Sequence, residues 1–259
     1  MTAVPLTKDL RFLYRIAFAP IRGKTHQERL ESFYAKQADD YDDSRRRLLH
    51  GREELMRRLP IPDGGVWIDL GGGTGANLEL LGNRVRRLKK VYLVDLAPSL
   101  LQIARRRIAQ NGWTNVTVLE EDAAGLPLHL ENADAVTFSY SLSMMADWYV
   151  AVENAFRLLK PGGHLGVVDF YVSRKHPGPN FVRHGAWTRW FWPWWFAHDN
   201  VFLNPDHVPY VHQIFEPLYF EECRGRIKYL PVGRAPYYLF VGRKQAVQPS
   251  WTAPIRSAF

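Results

Sequence analysis

Val66-Trp67-Ile68-Asp69-Leu70-Gly71-Gly72-Gly73-Thr74-Gly75-Ala76-Asn77 is the stretch that decides how this chain folds. Val66 to Leu70 is a short apolar run closed at once by glycines, the pattern of a parallel strand buried on both faces. Ala76-Asn77-Leu78-Glu79-Leu80-Leu81 then reads as the opening turns of a helix. A strand passing through a glycine-rich turn into a helix is the nucleotide-binding arrangement of open α/β sheets. Glycine permits the sharp turn and lets a ligand approach where a Cβ would collide. The spacing is Gly71-x-Gly73-x-Gly75 with Asp69 just ahead. A dinucleotide fingerprint sets its third glycine one residue later and needs no such acid.

This acid-G-x-G-x-G form resembles motif I of the Rossmann-like S-adenosylmethionine methyltransferases. The resemblance implies an α/β fold with a seven-stranded sheet, mostly parallel with a closing antiparallel hairpin, and helices on both faces. Further strands support it. Val91 to Val94 ends at Asp95, where an acid can accept both hydroxyls of a ribose. Val116 to Leu119 leads into Glu120-Glu121-Asp122-Ala123. In S-adenosylmethionine enzymes an acid in that turn takes the adenine amino group; Asp122 before Ala123 matches best, with Glu121 the fallback. Ala133 to Phe138 delivers Ser139-Tyr140-Ser141 to the same edge. The donor offers an ammonium, a ribose diol and an exocyclic amine, so acids along one edge suit it chemically. The cofactor-binding candidates are Asp69, Gly71, Gly73, Gly75, Asp95, Asp122, Ala123 and Ser139. Any one acid reads equally as a helix cap or solvated turn; their recurrence at successive strand ends points to S-adenosylmethionine.

The helix after the glycine turn is expected to run into Arg84-Val85-Arg86-Arg87-Leu88-Lys89-Lys90, placing cations at its negative end. Pro98 opens another helix and Gly112 closes it. A helix over 147–159 is stopped by Lys160-Pro161-Gly162-Gly163, and a strand follows from His164 to Phe170. A further helix is expected near Pro205 to Phe215. Gly225 to Leu230 and Pro236 to Arg243 read as the closing hairpin. The expected organisation is an N-terminal cap segment over 1–60, a methyltransferase domain over 61–244 with a lid insertion over 171–204, and a loose tail over 245–259. Within 1–25, positions 10, 13, 14, 17, 18 and 21 form one apolar helical face beside several cations. That face either packs on the domain or lies on a membrane. Phe33-Tyr34 through Tyr41-Asp42 resembles the segment that precedes motif I in many small-molecule methyltransferases, where such tyrosines close over the methyl donor and acceptor. The alternative for Tyr34 and Tyr41 is an ordinary aromatic-stapled helix end.

Among 259 residues there is one cysteine, Cys223, which excludes an internal disulfide and any Cys-rich metal cluster and suits a reducing cytoplasm. No run reaches the roughly 20 apolar residues of a spanning helix, and Arg11 and Arg15 interrupt any leader-like stretch. No metal site is expected. The formal charge of +8 points to an acidic partner, nucleic acid or an anionic membrane. Five of the nine tryptophans fall between Trp187 and Trp195.

Methyl transfer from a sulfonium needs alignment and desolvation more than a strong base. No obvious base is present, which fits an amine acceptor. Tyr34, Tyr41, Tyr140 and His198 are the catalytic candidates; His198 with Asp199 relays a proton or simply holds structure. Phe138-Ser139-Tyr140-Ser141 stands where exocyclic-amine DNA methyltransferases carry a D/N-P-P-Y/F phrase, so no nucleic acid is expected. Trp187, Trp190, Arg183 and Arg189 are the acceptor-binding candidates, because tryptophan favours the membrane interface and arginine can meet phosphate or carboxylate. A tightly packed lid and an aromatic platform for single-stranded RNA remain the competing readings.

Phe138-Ser139-Tyr140-Ser141-Leu142-Ser143-Met144, Val168-Asp169-Phe170-Tyr171-Val172, Phe191-Trp192-Pro193-Trp194-Trp195-Phe196, Asp199-Asn200-Val201-Phe202-Leu203 and His207-Val208-Pro209-Tyr210 together resemble the BtaB-type N-methyltransferases of betaine-lipid synthesis. The likeness spans about residues 30 to 243. It implies three methylations of the amino group of diacylglycerylhomoserine by a cytoplasmic enzyme peripherally bound to an anionic membrane. It also implies coupling to a separate 3-amino-3-carboxypropyl transferase that supplies this lipid. Phosphatidylethanolamine, or another small-molecule or lipid amine, is the alternative acceptor.

Overall fold

The computed structural model describes residues 25, 27–28, 31, 48–126, 130, 132–227 and 233–245. Tyr34, Tyr41, the amphipathic face within 1–25 and nearly all of the expected tail lie outside the described residues.

The elements in chain order are α1 (Arg52–Arg58), β1 (Val66–Leu70), α2 (Ala76–Leu81), a 3₁₀ segment (Gly82–Arg87), β2 (Lys90–Asp95), α3 (Pro98–Asn111), β3 (Val116–Glu120), β4 (Ala133–Ser139), a 3₁₀ turn (Leu142–Met144), α4 (Trp148–Leu158), β5 (Leu159–Phe170), α5 (Ala186–Ala197), α6 (His207–Ile214), β6 (Glu216–Arg226) and β7 (Arg234–Arg243). Seven strands form one sheet in the order β3-β2-β1-β4-β5-β7-β6. The pairings from β3 through β5 are parallel, and β7 runs antiparallel to both β5 and β6. This is the expected seven-stranded, Rossmann-like sheet with its closing hairpin.

Each face of the sheet carries its own core. Trp67, Leu93, Ala135, Val168 and Leu239 pack with Leu55 and Met56 of α1, Leu78 of α2, Leu101 of α3, and Trp192 and Phe196 of α5. Ile68, Leu70, Val136, Phe138, Val167 and Phe240 face the other way, onto Ala151 and Val152 of α4 and Val211 of α6. All five residues of β1 are buried, as an apolar strand covered on both sides requires. The reversal of strand order between β1 and β4 opens a crevice beyond the carboxyl ends of the strands, where such sheets take ligands.

Three expected boundaries move. The helix after the glycine turn stops at Leu81, because Gly82 turns the chain with φ of 61° into the 3₁₀ segment. The cations still meet a negative helix end, but it belongs to α3: Arg86 donates to the carbonyls of Asn111 and Gly112. Lys160 to Gly163 does not end one element before the next begins. It sits inside β5 as an irregularity in the pairing with Ala133 and Ala135, secured where Gly162 N–H donates to Lys244 O at 3.0 Å. β6 begins at Glu216, well before Gly225. It is the edge strand, and its exposed face tolerates the charges that mask strand character in the sequence. Cys223 lies on β6, half-buried opposite Tyr237 of β7.

Candidate functional site

The glycine turn is fixed before any ligand arrives. The amides of Gly71 and Gly72 both donate to the carbonyl of Val94, at 2.8 and 3.0 Å, which ties the turn to the end of β2. Gly71 has φ of +70°, and a Cβ there would lie 2.3 Å from Cβ of Ser141. Both its torsion and its packing therefore demand glycine. At Gly73, with φ of +54°, a Cβ would make only ordinary contacts, Leu100 Cδ1 at 3.7 Å and Asp95 Oδ2 at 3.9 Å. Gly75 supplies the left-handed residue that starts α2.

A cleft with about 1070 Å³ of empty space, its open mouth included, lies over this turn. Its walls come from Leu49 and Arg52, the glycine turn, Asp95, the turn from Glu121 to Ala124, and the segment from Ser139 to Asp147. Asp95 is braced on it: its carboxylate accepts Gly73 N–H at 2.8 Å and Ala97 N–H at 2.9 Å. Burial pushes its carboxyl up to about 6. Asp122 faces the cleft from the opposite end and orders its own turn by accepting Ala124 N–H at 2.9 Å. Ala123 is packed, its carbonyl taken by Asn154. Ser139 lines the same cleft with a buried Oγ that has no hydrogen-bond partner.

The expected donor fits these walls. Its diol and amine need acceptors, which Asp95, Asp122 and Glu121 supply at successive strand ends. The unpartnered Ser139 hydroxyl leaves a polar contact for a ligand to complete, and Gly73 leaves room for it to lie close.

Asp69 is different. It does not line the cleft. Its side chain is on the Trp67 face of β1, wholly buried, and accepts Thr137 Oγ1–H at 2.6 Å and both oxygens' bonds from Asn77 Nδ2, at 3.1 and 2.9 Å. The expectation of direct cofactor contact is corrected to support of the turn from beneath. Gly75 is also off the cleft wall.

Of the catalytic candidates, Tyr140 lines the cleft, in a left-handed conformation with φ of 56°. Its amide donates to Val168 O and its hydroxyl to His50 O, both at 2.7 Å. Burial raises the hydroxyl pKa well above its ordinary value, so Tyr140 is a wall that keeps its proton. His198 does not line the cleft; it is exposed at the end of α5, with Nδ1 against Trp194 O at 2.9 Å. The proposed relay through His198 is corrected on that ground.

Trp187, Trp190, Arg183 and Arg189 are likewise absent from the cleft wall. α5 is amphipathic in an inverted sense. Trp192 and Phe196 are buried, Phe196 stacking on Phe170 at 4.5 Å, while Trp187, Trp190 and Trp194 are 60%, 59% and 51% exposed. The outward rings stack along one face, Trp190 on Trp194 with 7° between planes. Phe202, just beyond, is 56% exposed. Arg183 is exposed and Arg189 half-buried with an enclosed, unpartnered Nε.

Arg52, Met144, Met145 and Asp147 are cleft residues that the sequence alone did not single out. Asn77, directly after the glycine turn, was the available signal for Arg52, whose guanidinium it receives. Among the described residues no group of three His, Cys, Asp or Glu side chains can hold a metal ion, and no helix is long and apolar enough to cross a membrane.

The ubiE/COQ5 methyltransferase family model matches residues 24–193. The 2-phytyl-1,4-naphtoquinone methyltransferase of Thermosynechococcus vestitus is 28% identical over 171 residues, covering 64% of this chain and 72% of its own. The ubiquinone/menaquinone biosynthesis C-methyltransferase UbiE of Cronobacter sakazakii is also 28% identical over 171 residues, covering 64% and 68%. A phosphoethanolamine N-methyltransferase 2 of Haemonchus contortus, solved with phosphomonomethylethanolamine and S-adenosylhomocysteine, superposes with a TM-score of 0.62 at 13% identity over 83% of this chain and 60% of its own. That likeness is one of fold.

Proposed function

Since the chain belongs to the ubiE/COQ5 methyltransferase family and is an S-adenosylmethionine-dependent methyltransferase, we propose that its acceptor is a lipid amine at an anionic membrane surface, the amino group of diacylglycerylhomoserine. One observation carries the lipid reading: α5 turns three tryptophans outward from a helix whose other face is core. Leaving such rings exposed to water costs solubility, whereas at a bilayer boundary they find both an apolar and a wet edge. The net charge of +8 favours an anionic leaflet. The BtaB-like phrases narrow the head group to homoserine, with a separate 3-amino-3-carboxypropyl transferase as the source of the lipid.

When bound, the donor would supply a sulfonium methyl to the amine, with the S–C electron pair retained by sulfur and the amine proton passing to water. The chain's own contribution is alignment. Asp95 and Asp122 would hold the adenosine end and the glycine turn would let it lie close, while Tyr140, Met144 and Met145, which line the same cleft, would keep water from the bound donor. Alignment of this kind is worth roughly 7–11 kcal/mol of the barrier. The exposed position of His198 and the proton-retaining environment of Tyr140 both suit an acceptor that arrives as a free amine.

A second reading is favoured by the names of the two quinone relatives: carbon methylation of a membrane quinone. Purified protein, labelled S-adenosylmethionine and liposomes decide between them. Diacylglycerylhomoserine should yield mono-, di- and trimethylated lipid, while phosphatidylethanolamine, a demethylated naphthoquinone and RNA stay unlabelled. Transfer to the quinone and none to the homoserine lipid would overturn the proposal.

A further inference from the structure

Five side chains form one continuous line of hydrogen bonds from the middle of the sheet to the cleft. Trp67 Nε1–H donates to Thr137 Oγ1 at 2.9 Å, and Thr137 donates to Asp69 Oδ1 at 2.6 Å. Asn77 Nδ2 donates to both Asp69 oxygens, which fixes the amide with its oxygen turned the other way. Onto that oxygen Arg52 directs Nε at 3.2 Å and Nη2 at 2.7 Å. The line ends at Arg52, on the cleft wall.

The charges of the cleft are unevenly distributed. Its described lining includes four carboxylates, on Asp95, Glu121, Asp122 and Asp147, and one cation, Arg52. That cation sits beside the glycine turn and Leu49, and its charge is felt at Asp69 and Tyr140. Through Asn77 it stands at the end of β1, whereas Asp95 ends β2 and Asp122 follows β3, and the sheet order β3-β2-β1 puts Arg52 two strands from Asp122. With the adenosine on Asp95 and Asp122, the amino-acid portion of the donor extends toward that end. The amino-acid portion carries the one anionic group of the molecule. A guanidinium is a planar fork of N–H donors with a permanent positive charge, the geometric and electrostatic complement of a carboxylate.

Resting on the S-adenosylmethionine reading of the cleft, we propose that Arg52 binds the carboxylate of the methyl donor, with Asn77 and Asp69 as the residues that position it. Asp69 then acts on the ligand at two removes, through Asn77 and Arg52, without touching it. Gly51 makes the placement possible: at φ of +80° it turns the chain so that Arg52 opens α1 at the edge of the cleft.

The test compares two ligands that share adenosine and a thioether but differ at the amino-acid end. S-adenosylhomocysteine has the carboxylate; 5′-methylthioadenosine lacks it. Titration calorimetry on Arg52→Ala should show S-adenosylhomocysteine weakened roughly ten- to hundredfold, with 5′-methylthioadenosine changed by less than about twofold. Arg52→Lys should fall between wild type and alanine, and Asn77→Ala should weaken S-adenosylhomocysteine selectively but less. Retained 5′-methylthioadenosine binding shows that the cleft is intact, and because no acceptor is present, an acceptor carboxylate cannot produce the difference. Unchanged S-adenosylhomocysteine affinity, or equal losses for both ligands, would overturn the assignment. A wild-type protein that binds neither ligand would instead remove the donor reading itself, and this assignment with it.

Discussion

The amide of Phe202 donates to the carbonyl of Ser143 across 2.6 Å, fastening the chain that leaves the tryptophan helix to the turn that walls the cleft. Ser143 is gripped from its other side by Asp169 at the end of β5, which accepts its amide at 3.0 Å and its hydroxyl at 2.6 Å. The segment after the tryptophan helix is thus tied to the turn beside the cleft, and Phe196 makes a second link by stacking on Phe170, which packs on Tyr140 of the cleft wall at 4.6 Å.

Asp169 is fully buried and also accepts Phe170 N–H at 2.7 Å. Asp169→Ala would leave the amides of Ser143 and Phe170 and the Ser143 hydroxyl without their acceptor and should destabilise the fold by about 3–5 kcal/mol, against about 1–2 kcal/mol for Ser143→Ala. Urea unfolding midpoints measure both. Equal costs would show that Ser143 does not depend on Asp169.

Replacing Trp187, Trp190 and Trp194 together by alanine should remove most binding to anionic liposomes in a sedimentation assay. Calorimetric affinity for S-adenosylhomocysteine should stay within about twofold, since none of the three rings lines the cleft. Undiminished sedimentation of the triple variant would place the lipid-binding surface elsewhere.

The glycines of the turn should separate by cause. Gly71→Ala meets both a left-handed backbone and a Cβ 2.3 Å from Ser141, and should cost about 2–4 kcal/mol of stability. Gly73→Ala meets no such clash and should cost about 1 kcal/mol. Its methyl would project toward the Asp95 side of the cleft, so its larger effect should be on S-adenosylhomocysteine binding. Thermal melts and calorimetry on the pair test the contrast.

Asp95 gives binding and stability opposite responses to pH. With its carboxyl at about 6, the ribose-accepting carboxylate is lost as the pH falls through 6. Affinity for S-adenosylhomocysteine should drop about tenfold between pH 7.5 and 5, and Asp95→Asn should flatten that dependence. In the unfolded chain the same group titrates near 3.9. Between about 4 and 6 the folded form therefore holds more protons, and Asp95's contribution makes the free protein more stable as pH falls across that window.

His198→Ala should leave turnover within about twofold, because its ring contacts Trp194 at the exposed end of α5. A larger fall in kcat, with KM unchanged, would return the residue to the chemistry.

Strand and helix identities were legible where one local rule sufficed. Pro98 opening α3 and Gly112 closing it, left-handed at φ of 61°, are such a case. The donor side was legible because strand ends carry acids at intervals that the α/β repeat imposes. What sequence spacing cannot express is which face a strand residue takes once the sheet is covered on both sides. Asp69 sits between Ile68 and Leu70 but shares its face with Trp67 and Thr137, and so lies under the turn and off the cleft. Arg52 was hidden because its partner is 25 residues away and its approach depends on the Gly51 turn. The exposed stacking of Trp187, Trp190 and Trp194 was likewise unavailable, since a Trp-rich stretch does not state which of its rings the core will claim.

Cys223, half-buried on β6 with its thiol pushed up to about 11, chiefly by burial, is the chain's one cysteine. A thiol so reluctant to ionise is a poor target for maleimides at neutral pH. The wild-type chain is therefore already close to a cysteine-free background for labelling. A Trp190→Cys substitution would offer the reactive handle, and a spin label or fluorophore attached there would report immersion depth against a bilayer directly.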